Sequence, residues 1–154
     1  MTAAINLSTR GKTVIIHEKH DRIGGSRDGD FEGLENWIFA HTVPEFFSIC
    51  GVDFNALPAT PIFDFSVHLR GLDPIRVTSP EPFFYIVSRG TANASIDNYM
   101  ANICRARNVQ FNFGEALARE DADIYAAGSG RAAAFIRGAT IRTDQPDQVH
   151  LLLG

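Results

Sequence analysis

The apolar positions near the start of the chain predict a helix followed by a buried strand. Residues 3–7 are rich in Ala, Ile and Leu and are followed by Gly11, a pattern typical of a helix that ends at a glycine C-cap. The run at residues 14–16 predicts a buried strand, and the acidic residue Glu18 follows it. Residues 28–36 are rich in Gly, Asp and Glu and predict a loop. A short helix is expected over Val43–Ile49, because Pro44 suits its first turn and Gly51 its end.

From Pro61 the pattern changes to strict alternation, which predicts strands with one apolar face. Residues 63–70 alternate apolar and polar side chains, residues 71–74 read as a turn, and the alternation returns from Ile75. Two prolines interrupt it before a third strand at residues 83–87. We therefore predict an antiparallel β-meander over about residues 61–89, inserted into an α/β domain.

The remainder returns to alternating helix and strand. Ile96, Met100 and Ile103 have helical spacing, with Ser95 as the expected N-cap. Three further strands are predicted, at residues 109–113, 122–127 and 149–153. The predicted fold class is α/β with α+β character, in one domain that spans residues 1–154.

Composition and charge argue against several classes of function. The chain has 154 residues, 45% of them hydrophobic, which is enough for one domain with a real core. A net charge of −4 without a basic stripe argues against nucleic acid, and no apolar run approaches the ~20 residues of a membrane span. Two isolated cysteines and no signal peptide predict a cytoplasmic protein. Twelve phenylalanines indicate an aromatic core, an apolar ligand surface, or both.

The stretch TVIIHEKHDRIGG, residues 13–25, carries the first candidate site. An acidic residue at the end of a parallel strand can accept hydrogen bonds from both hydroxyls of a ribose, and Glu18 is placed for that role. Gly24 and Gly25 lack a Cβ and would let the backbone approach a ligand closely. The other interpretation is a strand that ends in a charged turn. The G-x-G loop that normally precedes such a strand is absent from residues 1–12.

A second candidate is the glycine motif after the strand at residues 122–127. Gly128-x-Gly130-x-x-Ala133 fits the G-x-G-x-x-G/A pattern, and backbone N–H groups of a following helix would bind phosphate. No acidic residue follows a second strand about 20 positions later, so a tight strand-to-loop crossing is the alternative. Residues 17–20, His-Glu-Lys-His, do not fit the H-E-x-x-H zinc motif, and no metal site is predicted.

Three motifs in order resemble one family. E-K-x-x-x-I-G-G, R-G-x(4)-S-I-D-x-x-M and A-D-I-Y-A-A-G are similar to segments of FAD-dependent oxidoreductases of the geranylgeranyl reductase and aromatic hydroxylase class. The likeness covers roughly residues 3–154. It implies a partial Rossmann-like FAD-binding domain with FAD as cofactor. The cofactor-binding residues that the resemblance implies are Glu18 at the adenosine ribose, its neighbour Lys19, Gly24 and Gly25 along the FAD path, Arg27, Arg89 near the cofactor, and Gly128 and Gly130 near the diphosphate. The family has an arginine directly after the double glycine, where this chain has Ser26 and then Arg27.

The departures from the family shape the functional prediction. The family's first strand and glycine loop would precede residues 2–7, its last flavin motif would follow residue 154, and neither is present. The resemblance therefore implies a truncated or split FAD-binding oxidoreductase, of reductase or monooxygenase type, that needs a partner chain for activity. No catalytic residue is assigned. The meander would face a large apolar or isoprenoid-like substrate.

Two other functions remain open at this point. One is an interaction module without redox activity that is derived from the same fold. The other is a nucleotide site without flavin, built on residues 128–130. In the family, the missing strand lies beside the strand that carries Glu18, so its loss would leave unpaired backbone groups. A complementing protein, a second copy of the chain, or residues 149–153 would have to fill that edge, and the first two predict a hetero- or homo-oligomer.

Overall fold

A computed structural model describes residues 1–38, 40–126 and 148–153. Helices and strands are mixed, and the strands belong to small sheets. The helices are α1 (Thr2–Thr9), α2 (Val43–Ile49) and α3 (Ile96–Ala106). The strands are β1 (Thr13–Glu18), β2 (Phe31–Glu35), β3 (Ala59–Ile62), β4 (Asp64–Val67), β5 (Ile75–Thr78), β6 (Phe84–Ser88), β7 (Gln110–Phe113), β8 (Ile124–Ala126) and β9 (Gln148–Leu153).

The main sheet is parallel, with the strand order β7-β1-β9-β8. Ile16 on β1 pairs with Phe111 on one side and with Leu151 on the other. Strand β9 therefore occupies the edge of β1 that the sequence left open, and it is one of the three fillers expected there. The backbone of β1 is paired on both sides within the chain, so this edge gives no reason for a partner. Association with a second chain stays a prediction.

The predicted helices nearest this sheet are confirmed, and each ends or begins as its sequence indicates. Gly11 has a φ of 77°, and the Lys12 N–H donates to the Leu7 carbonyl at 3.1 Å, which ends α1. The Ser95 side chain accepts from the Asn98 N–H and caps α3. Both helices pack on β1 around a common core: Ala4, Ile5, Val14, Ile16, Val52, Met100, Cys104 and Val109.

A second, antiparallel sheet has the order β2-β6-β3, and a separate hairpin joins β4 to β5. The hairpin with its turn confirms the first two strands of the predicted meander. The third is wrong as predicted: β6 does not turn back along β5 but pairs with β3 and β2. Residues 79–83 bulge out between β5 and β6 because Pro80 and Pro82 have no N–H to donate to a ladder.

The loop predicted over residues 28–36 is also corrected. Phe31–Glu35 forms strand β2 along β6, with Phe31 opposite Ser88 and Glu35 opposite Phe84. Its composition disfavours a strand, but pairing with a neighbour outweighs the weak local preference. None of the helices in the described ranges combines the length and the apolar character needed to cross a bilayer.

Candidate functional site

Glu18 lies at the carboxyl end of β1, between β7 and β9. It pairs in register with Phe113 on one side and Leu153 on the other, and it is 7% exposed. Its Oε1 accepts a hydrogen bond from the His20 N–H at 2.9 Å. Its backbone carbonyl accepts from the Glu115 N–H at 3.1 Å. The predicted ribose acid is thus a nearly buried carboxylate at the strand-end edge where ligands of parallel α/β sheets bind.

The loop after Glu18 turns at the predicted glycine pair. Gly24 has a φ of 73°, and a Cβ there would lie 2.4 Å from the carbonyl oxygen of Gly90. A Cβ on Gly90 would in turn lie 2.5 Å from the Cα of Asp28. The position close to the Gly24 backbone, where a ligand was expected, is therefore occupied by Gly90, and the loop packs against the segment between β6 and α3.

The remaining cofactor-binding candidates differ in what surrounds them. Gly25 makes only ordinary contacts, since a Cβ there would be 3.5 Å from Arg22 Cγ. Lys19 is exposed. Gly128 and Gly130 lie outside the described residues, so the phosphate loop at these residues stays a prediction.

Arg89 lies between two carboxylates at the end of β6. Its Nε and Nη2 donate to Asp97 at 2.8 and 2.9 Å, and its Nη1 donates to Glu32. These bonds, first those to Asp97, raise the pKa of Arg89 above its usual value, so it stays charged at any ordinary pH. Burial alone would raise the pKa of Asp97, but bonds from Arg89 and from the Gly90 N–H lower it below its usual value.

Arg27 lies close to the same group. Its Nε donates to Asp30 at 2.7 Å, and its Nη2 is 4.0 Å from Glu32 Oε2. The structure therefore brings Arg27 and Arg89, two of the predicted residues, to one shared carboxylate. Glu32 was not predicted, because it lies in the segment interpreted as loop. Asp97 was present in the motif R-G-x(4)-S-I-D, whose last residue is the signal that identifies it.

The carboxylate side chains of this cluster border a pocket of about 240 Å³. Its polar lining includes Glu32, Arg89 and Asp97, and its apolar lining includes Leu34, Val87 and Met100. One side of this pocket is therefore charged, and three nitrogens of Arg89 there already donate to carboxylates.

A buried histidine on β1 is a further polar feature that sequence reasoning did not select. His17 is 4% exposed, and its Nδ1 is 2.8 Å from Glu115 Oε2. The Asn112 amide donates to the same oxygen at 3.2 Å. The signal for this pair is the position of His17 in an otherwise apolar strand, which marks it as a buried polar group in need of a partner.

Four aromatic side chains near β2, β4 and β6 contact one another, and we call this group the aromatic surface. It consists of Trp37, Phe65, Phe83 and Phe84. The Trp37 ring packs edge-on against Phe83 and Phe84, with 6.3 and 6.1 Å between ring centroids. The ring centroids of Phe65 and Phe83 are 5.0 Å apart. Trp37 is 57% exposed. The amide of the preceding residue, Asn36, donates to the Pro82 carbonyl at 2.7 Å.

In the part of the chain that the structure describes, no group of three or more His, Cys, Asp or Glu side chains has a metal-binding arrangement. Comparison with known proteins finds no matching family model, no matching curated protein and no matching solved structure.

Proposed function

We propose that the chain binds FAD through its adenosine half and acts as a component of an FAD-dependent oxidoreductase, with catalysis in need of a second chain. The observation that carries the proposal is the nearly buried carboxylate of Glu18 at the carboxyl end of β1. Its neighbours β7 and β9 run parallel to it, an arrangement consistent with a partial Rossmann-like sheet.

The Glu18 carboxylate has enough acceptor positions to bind both hydroxyls of a ribose. One oxygen of Glu18 accepts from the His20 N–H, and the other makes no hydrogen bond to any residue within the described ranges. Each carboxylate oxygen has two lone pairs, so the O2′ and O3′ hydroxyls of a ribose would both find an acceptor. Low exposure strengthens such bonds because water competes less for the carboxylate.

Two other predicted FAD-binding residues, Gly24 and Arg89, give the proposal less support than Glu18. Gly24 is packed against Gly90, and Arg89 is bound by two carboxylates, so neither offers an open diphosphate site in this arrangement. When bound, flavin itself supplies the redox chemistry, and the protein would position it.

The proposal is tested with nucleotides that differ only at the ribose. An acidic side chain that accepts hydrogen bonds from the ribose hydroxyls favours adenosine diphosphate and repels the same nucleotide with a 2′-phosphate. We expect calorimetry to show at least tenfold tighter binding of the first. In Glu18→Gln this preference should fall to about threefold or less. Glu35→Gln, which removes one charge from β2, is the control and should keep it.

Visible absorbance after addition of FAD and dialysis tests the flavin part. A retained flavin band supports FAD as the ligand, and a colourless protein that still prefers the unphosphorylated ribose restricts the proposal to a nucleotide site. Equal binding of the two nucleotides by the unchanged protein overturns the proposal.

The aromatic surface favours an apolar ligand as the second partner of this protein. An exposed tryptophan flanked by two phenylalanine rings offers a large contact area to an isoprenoid-like or aromatic molecule. Trp37 is the one tryptophan in the sequence, so its fluorescence reports directly on this surface. We expect farnesol to quench or shift it with saturation, and Phe65→Ala to weaken that response. A response that grows linearly with farnesol would contradict a defined site.

The interaction module without redox activity remains the alternative function. The exposed ring of Trp37 supports it, since exposed apolar surface also marks protein contacts. Light scattering after gel filtration distinguishes the two. A stable dimer that loses association in Trp37→Ala, without any nucleotide preference at Glu18, favours the module.

A further inference from the structure

The two carboxylates that hold Arg89 differ in burial and in geometry. The side chain of Asp97 is 10% exposed, binds Arg89 through both oxygens, and also accepts from the Gly90 N–H at 2.8 Å. The side chain of Glu32 is 43% exposed and contacts Arg89 Nη1 through one oxygen. Asp97 is therefore a fixed structural partner, whereas Glu32 is a surface group that another anion can replace at little cost.

Glu32 also serves two cations at once. The oxygen that accepts from Arg89 is the same one that lies 4.0 Å from Arg27 Nη2. Arg27 uses its Nε for Asp30, and Arg89 uses Nε and Nη2 for Asp97, so each arginine keeps a terminal nitrogen directed to the Glu32 side. An oxygen between two guanidinium groups occupies the position that a phosphate oxygen takes in an arginine-bound phosphate.

We propose that Glu32 is an internal competitor for a phosphate-binding site formed by Arg27 and Arg89, next to the 240 Å³ pocket that Glu32 and Arg89 line. With Glu32 bound, the site is closed. A diphosphate offers several oxygens to the two terminal guanidinium nitrogens and displaces the single carboxylate oxygen. The choice of a diphosphate as the incoming anion rests on the proposed nucleotide function.

Two glutamates on β2 supply a matched pair of variants. Residues three apart on a strand face opposite sides, so Glu35 shares the strand and the charge of Glu32 but not its contacts with the arginines. We expect Glu32→Gln to bind inorganic pyrophosphate at least tenfold more tightly than the unchanged protein in calorimetry at low salt. Glu35→Gln should gain threefold or less, which measures the effect of net charge alone.

Equal gains in the two variants, or no gain in Glu32→Gln, overturn the proposal. The double variant Arg27→Gln/Glu32→Gln should lose most of the gain, and retention of the full gain would also overturn the two-arginine site. Circular dichroism checks that each variant is folded. If Glu32→Gln gains pyrophosphate binding but the protein shows no ribose preference at Glu18, the phosphate site is supported and the nucleotide function is rejected. The two proposals can therefore fail independently.

Discussion

Gly24 and Gly90 are in contact through their backbones, with no room for a side chain on either. Because Gly24 adopts φ 73°, a residue with a Cβ would be strained there even without a neighbour. The sequence indicated that a close approach occurs at this glycine pair. It could not indicate what approaches, because Gly90 is distant along the chain and only the fold brings the two together.

Alanine substitutions at three glycines distinguish backbone strain, caused by a positive φ, from a steric clash of the added Cβ. Gly24→Ala places a Cβ 2.4 Å from the Gly90 oxygen, so we expect a loss of roughly 3 kcal/mol in the free energy of unfolding. Gly11→Ala has φ +77° but open space around it, and should lose only about 1 kcal/mol. Gly25→Ala has neither problem and should change little. Urea denaturation measures all three, and equal losses at residues 11 and 24 would contradict the contact.

Asp97 makes stability depend on pH with a definite sign. Its pKa in the folded protein is below its usual value of 3.8, so its contribution is complete above that pH and is lost as the pH falls through the folded value. Asp97→Asn replaces one of the two oxygens that accept from Arg89 with an amide donor and removes the negative charge, and it should cost about 2 kcal/mol near pH 7. Urea denaturation between pH 7 and 3 should show a steeper decline for the unchanged protein. Parallel curves for the two proteins would contradict this assignment.

Elements with strong local signals were predictable, and those made by tertiary pairing were not. Helix α3 and strand β1 follow from periodicity, a cap and a short apolar run, all of which are local. Strand β2 was missed because its stability comes from its partner β6. The prolines at 80 and 82 correctly marked an interruption, but sequence alone does not distinguish a turn between strands from a bulge within one.

Asn36 connects that bulge to helix α2, so its loss should affect both elements. Its Nδ2 donates to the Pro82 carbonyl and its Oδ1 accepts from the Val43 N–H at 2.8 Å. Asn36→Ala leaves both groups without these partners and should cost about 2 kcal/mol, with a red shift of Trp37 fluorescence. Asn55→Ala, on an exposed 3-10 turn, is the control and should change neither. An unchanged fluorescence maximum in Asn36→Ala would show that Asn36 does not fix the aromatic surface.

At the scale of the whole molecule, β9 completes the parallel sheet between β1 and β8. The sequence predicted this strand and proposed it as one filler for the edge of β1, but a partner chain was equally compatible with the pattern. Strand order depends on contacts between distant residues, which hydrophobic periodicity does not encode. The candidate site shares this limit, since Glu18 was recognisable alone while its neighbours on β7 and β9 were not.

Proline substitutions in β9 test its central position. Leu151 pairs with Ile16 and with Ile124, so Leu151→Pro removes a backbone donor in the middle of the sheet and should cost at least about 3 kcal/mol. Gln148→Pro affects the first residue of the strand, where proline is tolerated, and should cost far less. Circular dichroism during urea denaturation measures both. Similar stability of the two variants would place residues 148–153 outside the sheet.

The position of β9 also determines when this protein can fold during synthesis. Strand β1 leaves the ribosome well before its partner β9, which is made roughly 130 residues later. At ordinary rates of translation that is a delay of about ten seconds. Until β9 is made, one edge of β1 in the nascent chain is unpaired. Such an edge is a template for intermolecular pairing, so chaperone dependence and aggregation of nascent chains are expected to be decided in this interval.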